Sequence, residues 1–158
     1  MSRRLRLSKG QTTLIDDEDY PLLTRYKWHL TANGAVQGSI PTGRRGSKHI
    51  LMHRMIMNAP PNVQVDHKNG DRLDNRKENL RLCNNAENNR NVGLRKKKGR
   101  TSPYKGVSWC KNTNKWRAGI TLNYRWIHLG RFIDPKEAAL AYDNAAMLYF
   151  GEFSRTNF

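Results

Sequence analysis

This sequence has few cysteines and no long apolar run, and each of these features argues against particular classes of protein. The two cysteines, Cys83 and Cys110, lie far apart with no Cys-x-x-Cys spacing, which argues against a zinc knuckle or ribbon. No apolar stretch approaches the roughly 20 residues that span a membrane. No secretory signal is recognisable, which favours a reducing cytosol over a single disulfide. We therefore expect a cytoplasmic protein with no membrane partner.

Acidic residues are also few. The 158 residues include 29 Lys and Arg but only 13 Asp and Glu, a formal net charge of +16. Lys and Arg that neutralise phosphates release counterions, and this supplies most non-specific affinity for nucleic acids. The charge alone indicates a polyanion, so a structured-RNA or ribosome-associated protein remains an alternative to a DNA-binding one. The basic segment Ser2–Arg6 is interpreted as a phosphate-contacting arm or a disordered start.

A basic stretch divides the chain. Residues 92–102 hold few apolar side chains, and their like charges repel one another, so this segment is predicted to be a linker. It separates an N-terminal module, residues 1–91, from a C-terminal module, residues 103–158. The linker is either a solvated tether or a strap along a DNA backbone. Its candidate DNA-binding residues are Arg95, Lys96, Lys97 and Lys98.

Short strands and turns dominate the N-terminal module. The turn Asn33-Gly34 is typical of a hairpin, and the acidic run 16–19 predicts a short helix or turn. The predicted elements are strands at 12–15, 26–30, 34–40 and 63–67, a strand running into a helix at 48–58, and a short helix at 84–91. This pattern predicts an α+β domain.

The C-terminal module predicts a three-stranded antiparallel sheet packed on one helix. The strands are expected at 104–109, 115–122 and 125–132. Asp134 is the predicted N-cap of the helix, and Pro135 its first residue. Small alanines recur at helical spacing after it, which lets the helix lie close to the sheet. The other face of the sheet would then be open.

Asp66 and His67 are the strongest candidates for chemistry. Cleavage of a phosphodiester needs a group that accepts a proton from water, and a neutral histidine is suited to this. It also needs a divalent cation against the phosphate, and hard cations prefer oxygen ligands. Asp66 and an asparagine of the following helix fit that need. In isolation, the pair could equally be a capped turn without chemistry.

Further polar stretches accompany this pair in a fixed order. They are Leu51-Met52-His53-Arg54, Val65-Asp66-His67-Lys68-Asn69-Gly70-Asp71, Leu73-Asp74-Asn75-Arg76, Glu78-Asn79-Leu80-Arg81 and Glu87-Asn88-Asn89. On these residues the chain resembles the HNH endonuclease family, in its phage and intron-associated homing type, over most of residues 10–91. The resemblance implies a ββα-metal fold, in which two antiparallel strands and a helix hold one divalent metal ion.

The resemblance also implies roles for single residues. His67 would be the general base, and Asn79 would orient the loop and this histidine. Asp66 would be one metal ligand and Asn88 the other, for Mg²⁺ or alternatively Mn²⁺. The second ligand stays open among Asn84, Asn85, Asn88 and Asn89. His53 is either a phosphate or leaving-group contact or a packed histidine, and Arg54 is a candidate DNA contact that could also be a solvated surface residue.

The C-terminal module resembles the DNA-binding domain of plant ethylene-response-factor (Apetala-type) transcription factors. The resemblance is carried by Tyr104-Lys105-Gly106-Val107, Lys115-Trp116-Arg117-Ala118, 127–132 and 137–146. It implies that the open face of the sheet enters the DNA major groove. The matching candidates are Lys105, Trp109, Lys111, Trp116, Arg117, Arg125 and Trp126. One or two of the tryptophans are expected to pack in the core instead.

Together these patterns predict a divalent-metal-dependent, homing-type DNA endonuclease that nicks or cuts double-stranded DNA. Its C-terminal domain would select the target. No small-molecule substrate is expected, a monomer is favoured, and the expected location is the cytoplasm of a bacterial or phage-infected cell. The alternative is a DNA-binding transcriptional regulator whose nuclease module is inactive.

Overall fold

The computed structural model describes residues 1–43, 46–94, 99 and 101–158. It divides into two compact units, Met1–Asn88 and Asn89–Phe158. Several small antiparallel sheets and helices make up both units, which confirms the predicted mixture of helix and strand. In the described ranges, no helix combines the length and apolarity that crossing a bilayer requires.

Seven short strands lie within the described residues of the first unit. They are β1 (Ser2–Arg6), β2 (Thr12–Asp16), β3 (Trp28–Leu30), β4 (Val36–Pro41), β5 (Ser47–Leu51), β6 (Gln64–His67) and β7 (Leu80–Cys83). Strands β1 and β2 form one sheet, β3, β4 and β5 a second, and β6 and β7 a third, all antiparallel. The helices of this part of the chain are α1 (Tyr20–Leu23), α2 (Met52–Ile56) and α3 (Asn85–Asn91).

The structure excludes the disordered start considered for Ser2–Arg6, whereas the phosphate contact stays a prediction. These residues form β1, paired with β2 from Ser2 opposite Asp16 to Arg6 opposite Thr12. Leu5 is the cause, because its side chain is buried in the core while the neighbouring arginines stay exposed. Alternation around this one leucine makes the segment a strand.

One apolar core holds the first unit together. Its buried members are Leu5, Leu7, Ile15, Leu23, Trp28, Val36, Met52, Ile56, Val65 and Leu80. The Trp28 indole donates a hydrogen bond to the Leu23 carbonyl over 2.8 Å, so this large ring is buried without an unsatisfied donor. Val65 and Leu80 belong to β6 and β7, which anchors the third sheet to the core.

In the part of the second unit that the structure describes there are three strands and one long helix. Strands β8 (Val107–Cys110), β9 (Lys115–Leu122) and β10 (Arg125–Phe132) form an antiparallel sheet in the order β10-β9-β8, and α4 spans Pro135–Phe150. The predicted bounds of β9 and β10 are confirmed. Asp134 accepts a hydrogen bond from the Lys136 amide over 2.9 Å, which confirms the predicted N-cap.

Alanines bring α4 close to the sheet. Ala138 and Ala139 pack against Val107 and Ala118, and a second cluster joins Ile120 to Tyr142, Ala145 and Ala146. The carboxylate of Asp143 accepts from the amides of Asn157 and Phe158 over 2.9 and 3.1 Å. These bonds fasten the last residues of the chain to the helix.

Candidate active site and nucleic-acid interface

Strand β6 carries both residues of the central pair. Asp66 lies opposite Arg81 of β7, and His67 opposite Leu80. Neighbouring residues of a strand point to opposite faces, so the carboxylate and the imidazole leave β6 on different sides. Both are 6% exposed. The structure therefore places two polar side chains in a largely buried setting, where their partners decide their charge and orientation.

The imidazole of His67 is held by Asn75, a contact that sequence reasoning missed. Its Nε2 lies 3.2 Å from Asn75 Oδ1. The Asn75 amide nitrogen donates to Thr13 Oγ1 over 2.8 Å and to the Arg72 carbonyl over 3.2 Å. Burial lowers the pKa of His67 below its usual value, although the bond to Asn75 and the Asp66 charge oppose this. At neutral pH the imidazole is thus uncharged and able to accept a proton.

Asn79 lies under the loop that joins β6 to β7. Its Oδ1 accepts from the Asn69 amide over 3.0 Å, and its Nδ2 donates to the Asp74 carbonyl over 2.8 Å. Its own carbonyl accepts from Lys68 N over 2.8 Å. These bonds tie the beginning of the loop, at Lys68 and Asn69, and its middle, at Asp74, to Asn79. The part in catalysis that the sequence indicates for Asn79 stays a prediction.

Asp66 forms a buried ion pair with Arg81. Both Nε and Nη2 of Arg81 donate to Asp66 Oδ2, over 3.0 and 2.7 Å. The two side chains are almost fully buried, so Arg81 is not a solvated surface arginine. This ion pair could have been predicted by recognising β7 in the sequence, because the pairing of β6 with β7 sets Arg81 opposite Asp66.

Helix α3 brings Asn88 to the Asp66 face of β6. Gln64 lies two residues before Asp66 and thus on the same face. Its Oε1 accepts from Asn88 Nδ2 over 2.6 Å, and its Nε2 donates to Asn85 Oδ1 over 3.4 Å. Asn84, another candidate ligand, caps α3, because it exchanges two hydrogen bonds with Glu87 over 2.8 and 2.9 Å.

The donor chemistry on this face fits a hard divalent cation. Asp66 offers a carboxylate and Asn88 an amide, and such oxygens are the ligands that Mg²⁺ and Mn²⁺ prefer. In the part of the chain that the structure describes, no three His, Cys, Asp or Glu side chains converge on a point. A cation held here would therefore keep several positions for water and substrate.

His53 of α2 borders the pair. Its ring meets the His67 ring edge-on, with the centroids 5.0 Å apart. Burial, and then the charges of His67, Arg54 and Arg72, lower the pKa of His53 to about 4. Its Nδ1 is buried without a hydrogen-bond partner in the described part of the protein. The structure thus places His53 inside the site, where its uncharged ring packs against the ring of His67.

Arg54 points to a loop of its own unit. Its guanidinium donates to the carbonyls of Val63, Ala59 and Pro60 over 2.5, 3.2 and 2.6 Å. These bonds hold the segment that leads into β6, so the DNA contact expected of Arg54 has no support from its placement. The linker cations Arg95, Lys96, Lys97 and Lys98 lie outside the described residues.

Arg117 and Trp126 lie together on the open face of the second sheet. The guanidinium carbon of Arg117 is 5.0 Å from the centre of the Trp126 ring. Gly119 makes this possible, because a Cβ there would come within 2.3 Å of the indole. Cross-strand register adds Ser108 and Arg131 beside Arg117. Sequence reasoning missed Arg131 because a register shift between His128 and Gly130 moves it to the face of Trp126, where strict alternation along β10 would not place it.

The other two candidate tryptophans lie on the opposite face. Trp116 packs against the cluster around Ala118 and Ala138, and Trp109 faces it across the strands with ring centroids 5.0 Å apart. Trp116 agrees with the expectation that one or two tryptophans belong to the core, whereas Trp109 is 37% exposed. The helix-covered face explains their pairing, and it removes both from the surface that Arg117 occupies.

The remaining candidates of this unit differ in exposure. Lys105 is turned inward and donates from Nζ to the carbonyls of Arg90 and Val92 over 2.7 and 2.8 Å. Burial lowers its pKa to about 8. Lys111, in the turn before β9, and Arg125, at the start of β10, are exposed. Of these three, Lys111 and Arg125 can reach a polyanion without rearrangement.

Comparison with known families gives both units an identity. The family model described as HNH endonuclease matches residues 26–90, and the one described as AP2 domain matches residues 102–152. This chain joins an HNH endonuclease domain to an AP2 domain. The HNH endonuclease domain makes it a nuclease, and both resemblances seen in the sequence are confirmed.

Two viral proteins are similar to this HNH endonuclease. An uncharacterized HNH endonuclease, L560, of Acanthamoeba polyphaga mimivirus is 27% identical over 151 residues, which cover 94% of this chain and 76% of that protein. Protein 3.8 of Escherichia phage T7 is 37% identical over 62 residues, or 39% of this chain and 50% of that protein. The first similarity extends over both domains of this chain.

Proposed function

We propose that this HNH endonuclease is a divalent-metal-dependent, homing-type enzyme that hydrolyses phosphodiester bonds of double-stranded DNA. The observation that carries the proposal is the neutral, buried imidazole of His67 beside Asp66, with Asn88 brought to the Asp66 face by α3. In this proposal β6, β7 and α3 are the two strands and the helix of a ββα-metal site. The bounds of the modules are proposed as 1–91 and 103–158, with a basic linker of residues 92–102.

His67 takes the proton from the attacking water. Its low pKa keeps it neutral, and the loop pinned by Asn79 keeps the end of β6 in place. Asp66 and Asn88 would hold Mg²⁺, or Mn²⁺ as the alternative. When bound, the cation supplies charge stabilisation at the phosphate and at the leaving oxygen. Asn79 supports the site without contacting the reacting atoms.

The AP2 domain holds the DNA. Its open face offers Arg117, Arg131 and Trp126, a combination of cations and an aromatic plane that suits a groove lined by phosphates. A monomer is the proposed state, and the viral relatives are consistent with work in the cytoplasm of an infected cell. No small-molecule substrate is invoked.

The test compares the full-length protein with its His67→Ala variant on supercoiled plasmid in the presence of Mg²⁺. We expect the wild type to produce relaxed or linear DNA, and the variant to retard the plasmid in a gel without cutting it. The ratio of relaxed to linear product separates nicking from double-strand cleavage. Equal cutting by both proteins would refute the general-base assignment, and no cutting by either would favour a DNA-binding regulator with an inactive nuclease module.

A further inference from the structure

The hairpin of β1 and β2, which precedes the residues matched by the HNH family model, contacts the loop that joins β6 to β7. Strand β2 lies parallel to the loop at Leu14, where the Leu14 amide donates to the Leu73 carbonyl over 2.7 Å. The main-chain amide of Asn75 in turn donates to the Leu14 carbonyl over 2.8 Å. The loop segment that supplies Asn75 is thus fixed to β2 by main-chain bonds on both sides.

A chain of side-chain hydrogen bonds follows the same path. Thr13 Oγ1 lies 2.7 Å from the Leu73 carbonyl, to which only the hydroxyl can donate. Since its single hydrogen is used there, Thr13 Oγ1 must accept from Asn75 Nδ2 at 2.8 Å. The Arg72 carbonyl also accepts from that nitrogen. Two acceptors therefore determine which end of the Asn75 amide faces them.

This orientation decides where the proton of His67 resides. With Nδ2 turned toward Thr13, Asn75 presents Oδ1 to His67 Nε2 at 3.2 Å. An amide oxygen only accepts, so Nε2 must carry the hydrogen, and the lone pair of the neutral imidazole lies on Nδ1. Thr13 and Asn75 are 1% and 0% exposed, so solvent cannot substitute for either partner. Reversing the amide would set the Asn75 oxygen against the Arg72 carbonyl oxygen in a buried place.

We propose that Thr13 is a positioning residue for catalysis, which acts through Asn75 to keep His67 in the tautomer with its lone pair on Nδ1. The proposal rests on the general-base role of His67 given above. It assigns a function to the hairpin β1–β2, because the hydroxyl that orders the chain of bonds comes from this hairpin. Thr13 itself touches neither DNA nor the reacting water.

The test uses three substitutions in the full-length protein. Thr13→Val keeps the shape of the side chain but removes the hydroxyl, and Thr13→Ser keeps the hydroxyl. Thr13→Ala also removes the hydroxyl and replaces the valine variant if that variant does not fold. The Leu73 carbonyl retains its bond from Leu14 N, so folding is expected to survive the loss. Long-range ¹H–¹⁵N spectra of the neutral imidazole report the tautomer of His67. Nicking rates at saturating and at limiting DNA report kcat and KM separately.

For Thr13→Val, or Thr13→Ala in its place, we expect a mixture of both tautomers and a kcat reduced about tenfold, a part of the roughly 10²- to 10⁴-fold that general acid–base catalysis contributes. KM should be unchanged, and Thr13→Ser should restore both tautomer and rate. A single unchanged tautomer and an unchanged kcat without the hydroxyl overturn the inference. Cutting by His67→Ala at the wild-type rate overturns the proposed function instead, so the two failures are distinguishable.

Discussion

Asp66 and Arg81 form an ion pair where water is nearly absent, and this has consequences for metal binding. A buried charge is tolerated only when a partner compensates it. Arg81 compensates Asp66 through two hydrogen bonds to Oδ2. A divalent cation at Asp66 would supply positive charge to the same carboxylate. The charge of the Asp66 carboxylate can therefore be neutralised by Arg81, by the proposed cation or by both together.

Replacing Arg81 should make the stability of the protein depend on the cation. Arg81→Met removes both hydrogen bonds from the buried Asp66, and the loss of one partner of a buried pair costs about 3–5 kcal/mol. Mg²⁺ should recover part of this, so we expect a larger rise of Tm on adding Mg²⁺ to Arg81→Met than to wild type. The double variant Asp66→Asn/Arg81→Met is the control and should lose this response. An equal Tm response in wild type and Arg81→Met would contradict the shared carboxylate.

His53 should make folding sensitive to acid. Its pKa is about 4 in the folded protein and near the ordinary 6.5 in the unfolded chain. Between these values the unfolded chain binds more protons, so stability is lost as pH falls from 6.5 toward 4, by up to about 3 kcal/mol. His53→Phe keeps a ring against His67 but cannot be protonated. Urea unfolding across this pH range should show that His53→Phe loses less stability than wild type as pH falls. Equal losses in the two proteins would contradict the lowered pKa of His53.

At the scale of elements, the sequence predicted best where a strand has one apolar face and clear turns. Strands β9 and β10 and the cap of α4 are of this kind. Strand β7 was missed because Arg81 is buried and Leu82 exposed, which inverts the expected alternation. Asn75 was missed for a related reason, since its partners Thr13 and His67 are distant in sequence. Residues whose partners come from other elements cannot be assigned from spacing alone.

The start of β8 shows how one glycine can set the bounds of an element. Gly106 has φ +76°, and a Cβ on it would lie 1.9 Å from the Tyr142 ring of α4. The predicted strand began at 104, whereas β8 starts at Val107, after this turn. The helix therefore packs directly on the backbone of Gly106, which requires both a left-handed conformation and the absence of a side chain.

Gly106→Ala should thus destabilise the second unit more than an ordinary glycine substitution. Backbone strain and overlap with Tyr142 together should cost about 3 kcal/mol. Gly151→Ala is the matched control, because Gly151 also has positive φ but nothing within 4 Å of an added Cβ. We expect a loss of about 1 kcal/mol there. Thermal unfolding of the full-length variants measures both, and similar losses would show that the contact with Tyr142 does not limit this position.

At the scale of the whole molecule, a net charge of +16 and two domains with different tasks shape the proposed interaction with DNA. Charge provides affinity for any duplex, and each phosphate contact contributes about −0.9 to the slope of log K against log salt. Placement of particular side chains provides the rest. Arg117, held over Trp126, is a fixed cation on the open face. Most surface arginines contribute only to the overall positive charge.

Arg117→Ala should therefore weaken binding far more than the loss of one charge elsewhere. We expect Kd for a DNA duplex to rise about tenfold, as for a contact worth about 1.4 kcal/mol, and the salt slope to fall by about one if a phosphate is contacted. Arg25→Ala, which removes an exposed arginine from the first unit, is the control and should change Kd less than about twofold. Fluorescence anisotropy at several salt concentrations measures both. At saturating DNA, Arg117→Ala should still nick plasmid at the wild-type rate, because the proposed function gives this residue a part in binding DNA and none in cleavage. Equal Kd values for the two variants would mean that total charge, and not the open face of the AP2 domain, determines binding.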